Sequence, residues 1–335
     1  MKKLDTVLSP ATGKPMRIVH ELREVTFRKE TFRYVATFWQ CPDSGEEFTE
    51  GWMDEVSLSQ VYNQYRAKYG IPFTDEIRRI REDYGLSAAK MSVIMGFGDN
   101  QYRLYENGEM PSLSNGRILR SVISNPETFR SFVEASREQL SQKDCSALDS
   151  AIDAKSKECN CNRTIRELIF GTGERSSRNG YAPMNLERLQ SVMSYMIENA
   201  DALSVSKMNI ILFYLDMYSY RERGIAITGL SYMAAPNGPR PEHWSRAFSL
   251  TNGIEMEMTC HSDGTEEIEL KSTAPYNPEL FSDMEKECLQ VIAQKFRNTN
   301  PSALSELSRS DSVWKNAFSN HLPIDFTDAL LKVSL

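Results

Sequence analysis

Two short turns near the start of the chain follow one template. Ser9-Pro10-Ala11-Thr12-Gly13 and Cys41-Pro42-Asp43-Ser44-Gly45 have the spacing of Cys-Pro-x-Cys-Gly knuckles, which present paired thiolates to a tetrahedral zinc. Here the four ligand positions hold Ser9, Thr12, Cys41 and Ser44. Hydroxyls stay protonated near neutral pH and are poor ligands for a borderline-soft ion, so one cysteine in four does not hold a metal. His20 is near but at no knuckle position. The repeat favours a metal-binding scaffold that keeps its turns and has lost its ion; two unrelated Pro/Gly turns are the alternative. Packing must then hold it, with Phe32, Tyr34, Phe38, Trp39 and Trp52 supplying bulk. Neither metal nor cofactor is expected.

Other reactive types are scattered. The cysteines at 145, 159, 161, 260 and 288 give no ligand spacing, and Cys159-Asn-Cys161 is too tight for a redox pair, so all read as reduced thiols. Gly171-Thr-Gly-Glu-Arg-Ser176 resembles a phosphate-cradling loop, but no Gly-Lys-Ser/Thr follows, and a linker explains it as well. Asp216 with His243, or Glu285 with His261, could be acid–base pairs, yet sequence separation says nothing of geometry. Asp216 follows an apolar helix and reads as a structural group bonded to Thr228 or nearby backbone. No enzyme is expected.

The elements that would position these residues divide by composition. At 335 residues the chain is long enough for two or three domains, and 40% hydrophobic with 25% charged residues is ordinary for a globular protein. No apolar run approaches a membrane span, and "MKKLDTVLSP" lacks the apolar core of a signal peptide, so a cytoplasmic protein without membrane contact is expected. Residues 1–125 carry 17 basic and 17 acidic side chains, which puts the whole net charge of −7 in the remainder. That acidic rear argues against nucleic-acid contact there and suits a protein partner.

Residues 16–40 are β-branched and aromatic, as for a twisted hairpin, and 54–70 read as a helix. From Thr74, short helices stop at Gly85, Gly96 and Gly108, with starts at Thr74, Ser87 and Asp99. That rhythm suits a helix-turn-helix, with a plain helical bundle as the alternative. Pro126 opens further amphipathic helices, and 171–183 is a break. Behind it come two apolar helices, a hairpin turning at Ser262-Asp263-Gly264, and closing helices. The expected fold class is α+β, mainly α: a small β-rich, ribbon-like front (1–70), a helix-turn-helix bundle (71–125), a helical connector and linker (126–184), and a helical rear domain with a β-hairpin (185–335).

The knuckles followed by "IRRIREDYGLSAAKMSVIMGFGDNQYRLYENGEMPS" resemble the MqsA/YgiT-type antitoxin architecture, a zinc ribbon joined to a Cro/XRE-type helix-turn-helix, with Tyr105-Glu106-Asn107-Gly108 as its marker. Downstream, Lys207, Tyr214, Asp216, Gly224, Ile227, Thr228, Gly229, Tyr232, Gly238, Pro239 and Pro241 resemble the pattern of the Panacea (SocA-like) domain. "SDMEKECLQVI" and "SVWKNAF" fit that family's closing helices, and 126–180 stays unassigned. The resemblance implies an antitoxin that neutralises a cognate toxin by direct binding and represses its own operon. A ligand-sensing regulator, or an adaptor handing a toxin to a protease, is the alternative.

Carried over by position, Asn100 would read base edges, with Gln101 and Arg103 beside it, while Lys90, Ser112 and Arg117 would hold phosphates. Leu104 stands where the resembling proteins have an arginine before Tyr-Glu, and Ala88 where a Gln is common; solvated helix faces are the alternative for Lys90 and Arg117. Half-sites are read in pairs, so a homodimer on operator DNA is expected. For the toxin, Tyr218, Tyr220, Arg221, Arg223, Arg240 and Trp244 combine large area with directional polar groups, as interface hot spots do. Tyr218, Arg221 and Arg223 are expected to be exposed, and a fragment from about Asn185 onward is expected to suffice for neutralisation.

Overall fold

The computed structural model describes residues 7–157, 160–171, 173–200, 203–260 and 266–333. Cys159, Thr172, His261 and the Ser262-Asp263-Gly264 turn lie outside the described residues. The fold is α+β and mainly helical, with small antiparallel sheets. The chain forms two compact units, one of Met1–Val61 with Arg163–Leu335, the other Tyr62–Asn162.

The first unit opens with strands β1 (Arg17–Phe27) and β2 (Glu30–Gln40), paired in register from Arg17↔Gln40 to Phe27↔Glu30. Their two-residue turn, Arg28-Lys29, has positive φ at both positions, the geometry whose twist matches the strands. Asn-Gly is the usual signal for that turn, so the sequence shows the hairpin but not its turn. A short β3 (Glu47–Phe48) pairs only with Trp39 and Gln40. Helix α1 (Gly51–Tyr69) follows, and its Gln60 completes the edge of β2: the amide oxygen accepts from Val35 N–H (2.9 Å) and the amide nitrogen donates to Val35 C=O (3.0 Å). Met16, Trp39, Cys41 and Met53 form a small core below the hairpin.

The second unit holds α2 (Thr74–Asp83), α3 (Ala88–Ile94), α4 (Gln101–Glu106), α5 (Leu113–Ser124), α6 (Pro126–Ala135) and α7 (Gln142–Lys157). Phe73 rather than Thr74 precedes α2, and its N–H is taken by Glu76 (2.8 Å). Ser87 caps α3 as expected, its hydroxyl accepting from Lys90 N–H (3.2 Å). Asn100, not Asp99, stands at the start of α4, in the left-handed region (φ 61°). One core runs through all six helices, from Ile77 and Met91 to Phe129, Leu148 and Ile152. The stretch read as a connector therefore gives α6 and α7 to this core.

The rest of the first unit comprises α8 (Asn160–Phe170), α9 (Leu186–Glu198), α10 (Val205–Arg223), β4 (Tyr232–Ala235), β5 (Gly238–Pro241), α11 (Trp244–Ser249), β6 (Ile254–Cys260), β7 (Glu266–Ser272), α12 (Asp283–Phe296), α13 (Pro301–Ser310), α14 (Ser312–Asn320) and α15 (Phe326–Ala329). Helix α10 is the axis: it is buried on nearly every face and packs against α12, α13 and β5. Ser204 caps its start and Gly224 ends it in the left-handed conformation (φ 70°). A Cβ on Gly224 would lie 2.9 Å from Val56 C=O of α1, so only glycine lets the front segment pack here. Because residues 1–61 and 163–335 form one unit, the test of neutralisation needs the full chain rather than a fragment from Asn185.

Candidate functional site

The two knuckle-like turns have the same hydrogen bonds. Ser9 N–H donates to Lys14 C=O and Gly13 N–H to Ser9 C=O (both 2.8 Å); Cys41 N–H donates to Glu46 C=O and Gly45 N–H to Cys41 C=O (both 3.0 Å). Gly13 (φ 70°) and Gly45 (φ 73°) occupy equivalent left-handed positions. The four ligand positions converge. Thr12 Oγ1 lies 3.3 Å from Cys41 Sγ, and bonds from the Ser44 backbone, then the Ser44, Ser9 and Thr12 hydroxyls, draw the thiol down to about 6. Donors thus surround the sulfur where a knuckle would place metal. Among the described residues no group of three or more His, Cys, Asp or Glu could hold a metal ion.

In the second unit, α3, the start of α4 and the first half of α5 with its cap carry the residues expected to meet DNA. Tyr105-Glu106-Asn107-Gly108 has a structural explanation. Glu106 is buried and pairs with Arg81 (2.5 Å), Tyr105 accepts from Asn115 Nδ2 (2.8 Å), Asn107 caps α4, and Gly108 turns the chain at φ 107°. Tyr102, fully buried, donates to Ile77 C=O (2.6 Å). These bonds fix α4 against α2 and α5. Asn100, Arg103 and Arg117 are exposed; Gln101 is half-buried and donates to Glu109 (3.1 Å). Ser112 is engaged as the cap of α5, accepting from Asn115 N–H (3.1 Å). Lys90 is held by both carboxylate oxygens of Asp144 on α7 (2.8 Å each), so it meets a phosphate only by giving up that pair.

The motif residues of the rear domain build its interior. Asp216 is fully buried and accepts from Ile227 N–H (2.8 Å), Thr228 N–H (2.9 Å), the Thr228 hydroxyl and the Tyr232 hydroxyl (2.7 Å). Burial pushes its carboxyl up, and these donors oppose that shift. With every lone pair engaged, it is not an acid–base partner of His243. Lys207 donates from Nζ to Arg297 C=O (3.0 Å), and Tyr214 to Asp311 (2.9 Å). Arg175, in the stretch read as a phosphate-like loop or a linker, is buried and donates from Nε to Tyr181 C=O (2.7 Å).

The residues expected to face the toxin fall into two places. Tyr220 is a core residue: it has no exposed surface, its hydroxyl meets Thr327 (3.3 Å), and its ring stands edge-on to Phe326. Arg223 is half-buried, not exposed as expected, because it pairs with Glu285 (3.1 Å) and donates to Ser219 Oγ (3.0 Å). Arg221 is also half-buried, against Glu222 (3.2 Å) and over the Tyr218 ring (5.2 Å), and burial lowers its pKa. Tyr218 is likewise half-buried. Arg240 and Trp244 form the second place, with the guanidinium 5.9 Å from the indole centroid beside the start of α10. The sequence reading missed Asn209, which joins these two at one cleft. Its place on an apolar helix was the available signal.

Residues 209–315 match the family model described as antitoxin SocA-like, Panacea domain. The matched stretch begins inside α10 and ends in α14, so it contains the Asp216 network, the β4–β5 hairpin with Arg240, and Trp244 beyond it. No curated protein and no solved structure matches the chain. No helix among the described residues is long and apolar enough to cross a membrane.

Proposed function

We propose that this chain is the antitoxin of a toxin–antitoxin pair, neutralising its toxin by direct binding through the rear domain and repressing its own operon through the helix-turn-helix expected at 71–125, as a cytoplasmic homodimer. The match of 209–315 to an antitoxin domain is the observation that carries the reading. It is supported by where that match falls: on a stretch whose motif residues Asp216, Thr228 and Tyr232 bond to one another in the interior. The test is growth. The product of the adjacent gene should arrest cells when expressed alone, and co-expression of the full chain should restore growth. Arrest that persists with the chain present at equal or higher level contradicts the proposal.

For operator binding, Arg103 is the residue to vary, since it is exposed next to Asn100 and Gln101 and serves no described ion pair. Arg103→Ala should weaken binding to the chain's own promoter fragment by about 1–3 kcal/mol and relax base preference. A gel shift at low salt, where phosphate contacts are strongest, measures it. A wild-type chain that leaves its promoter unshifted under those conditions removes DNA binding from the account without touching neutralisation.

A further inference from the structure

Strand β1 is the outer strand of its sheet, which runs in the order β1-β2-β3. Its two-residue turn makes Phe27 and Glu30 the hydrogen-bonded pair that closes the hairpin, and the register from there to Arg17↔Gln40 is unbroken. Hydrogen-bonded pairs alternate along an antiparallel ladder. The odd-numbered residues of β1 therefore bond to β2, and the even-numbered ones turn their N–H and C=O groups outward. Among the described residues, no bond reaches the outward backbone groups of Ile18, Leu22, Glu24 or Thr26. An 11-residue edge without proline, lysine or bulge is a template for another strand. Its apolar side chains Ile18, Leu22 and Val25 are between 36% and 41% exposed. The opposite edge of the sheet is closed by β3 and by the Gln60 amide, so β1 is the side on which a strand can be added.

The charge pattern of β1 identifies that strand. Two copies of Arg17–Phe27 laid antiparallel about a two-fold axis overlap fully when Leu22 faces Leu22. Outward groups then meet outward groups, Leu22 with Leu22 and Ile18 with Thr26. Val19 falls opposite Val25, and Glu21 falls opposite Arg23 twice by symmetry. Those charged pairs take the non-hydrogen-bonded positions of the new ladder, where side chains lie closer and opposite charges attract. Within one copy Arg23 holds Glu21 and Glu47 (both 2.7 Å), yet Glu21 stays 54% exposed and open to a second guanidinium. Other registers are worse. An axis at Glu21, Arg23 or Glu24 sets that residue against itself, and one at His20 sets Arg17 against Arg23. An axis between residues sets outward groups against groups already bonded to β2.

We propose that a second copy of this chain pairs through β1, Leu22 against Leu22, joining two hairpins into one continuous antiparallel sheet. The contact is isologous, so it closes at two copies. It deepens the homodimer part of the functional reading by naming its surface, and it does not depend on the toxin.

The experiment uses the full chain and follows self-association by analytical ultracentrifugation, with circular dichroism to check folding. Wild type should be a dimer. Glu21→Arg opposes arginine to arginine at both symmetric positions, and Arg23→Glu opposes glutamate to glutamate. Each alone should weaken the dimer about tenfold or more, since like charges directly opposite repel where the wild-type pairs attract. An equimolar mixture of the two variants restores both attractive pairs and should associate about as tightly as wild type. That rescue is specific, because a variant that merely loosens the hairpin is not cured by the other. If Arg23→Glu fails to fold on losing Glu47, Leu22→Pro carries the test. The N–H it removes is an outward one, so the hairpin keeps its bonds while the dimer should be lost. A dimer unchanged in the variants, or a mixture no tighter than either alone, overturns this surface and leaves the homodimer and antitoxin readings standing. A wild-type chain that stays monomeric overturns the surface and the homodimer together, with the toxin reading untouched. Variants that stay dimeric but lose the product of the adjacent gene assign the edge to that partner, and the proposal falls.

Discussion

Asp216→Ala should destabilise the rear domain by at least about 3 kcal/mol, because four buried donors lose their acceptor at once and each unsatisfied group costs roughly 1–3 kcal/mol. The donors come from Ile227, Thr228 (twice) and Tyr232, all beyond the end of α10, so the carboxylate is what fastens the Gly224–Tyr232 turn to the helix. The Thr228 hydroxyl that donates to Asp216 also accepts from Leu230 N–H (3.1 Å), which extends the loss one residue further. Asp216→Asn should cost clearly less. Its oxygen can keep the two backbone N–H groups of residues 227 and 228, and its amino group can donate to the Thr228 and Tyr232 hydroxyls once these reverse. Urea unfolding of the two variants against wild type measures this. A change below about 1 kcal/mol for Asp216→Ala would mean that the network contributes little.

Glu285→Ala should rank beside it, at about 3–5 kcal/mol, because removing one partner from a buried ion group leaves uncompensated charge. Glu285 holds Arg188 (2.7 Å) and Arg223 (3.1 Å) together, and it accepts from Ser282 N–H (2.8 Å) as the capping box of α12. Arg188 is committed on its other side to Leu280 C=O and lies over the Phe281 ring at 4.7 Å, so it cannot follow solvent when its partner goes. Burial raises the Glu285 carboxyl, but Arg223, Arg188 and Ser282 together lower it more, leaving it below the usual carboxylate range. A folded-state pKa below the unfolded value, about 4.3, adds stability that is complete above that pH and lost as pH falls through the folded value. Thermal unfolding from pH 6 down to pH 3 should therefore show a decline below about pH 4.3 that is shallower in Glu285→Gln. Equal slopes for the two proteins would mean that this carboxylate is not the group responsible.

The repeated turns at Ser9 and Cys41 were legible because Pro and Gly at fixed offsets dictate backbone geometry locally, and the structure gives them identical bonds. Helix starts at Ser87 and stops at Gly85, Gly96 and Gly108 were legible for the same reason. What no local signal reveals is which long-range partner a polar residue takes. Arg223, expected to be exposed, and Tyr220, expected at the toxin contact, sit in a polar stretch at the end of an apolar helix, yet Glu285 and Thr327, 62 and 107 residues further on, take them up. Lys90 looked free for phosphate until Asp144 reached it from α7. Asn209 went unnoticed for the opposite reason. One asparagine in an apolar run reads as tolerated, and its significance lies in an oxygen without a partner, which only three-dimensional placement exposes. The discontinuous unit of residues 1–61 and 163–335 is equally a product of distant packing, such as Gly224 against Val56.

The central claim is that this chain neutralises a toxin by holding it. Mixing the purified full chain with the purified product of the adjacent gene, and following the mixture by size-exclusion chromatography, tests that most directly. One stable co-eluting complex of fixed stoichiometry is expected, in which the toxin's activity is lost. Separate elution of two folded proteins, with the toxin's activity intact, would contradict it.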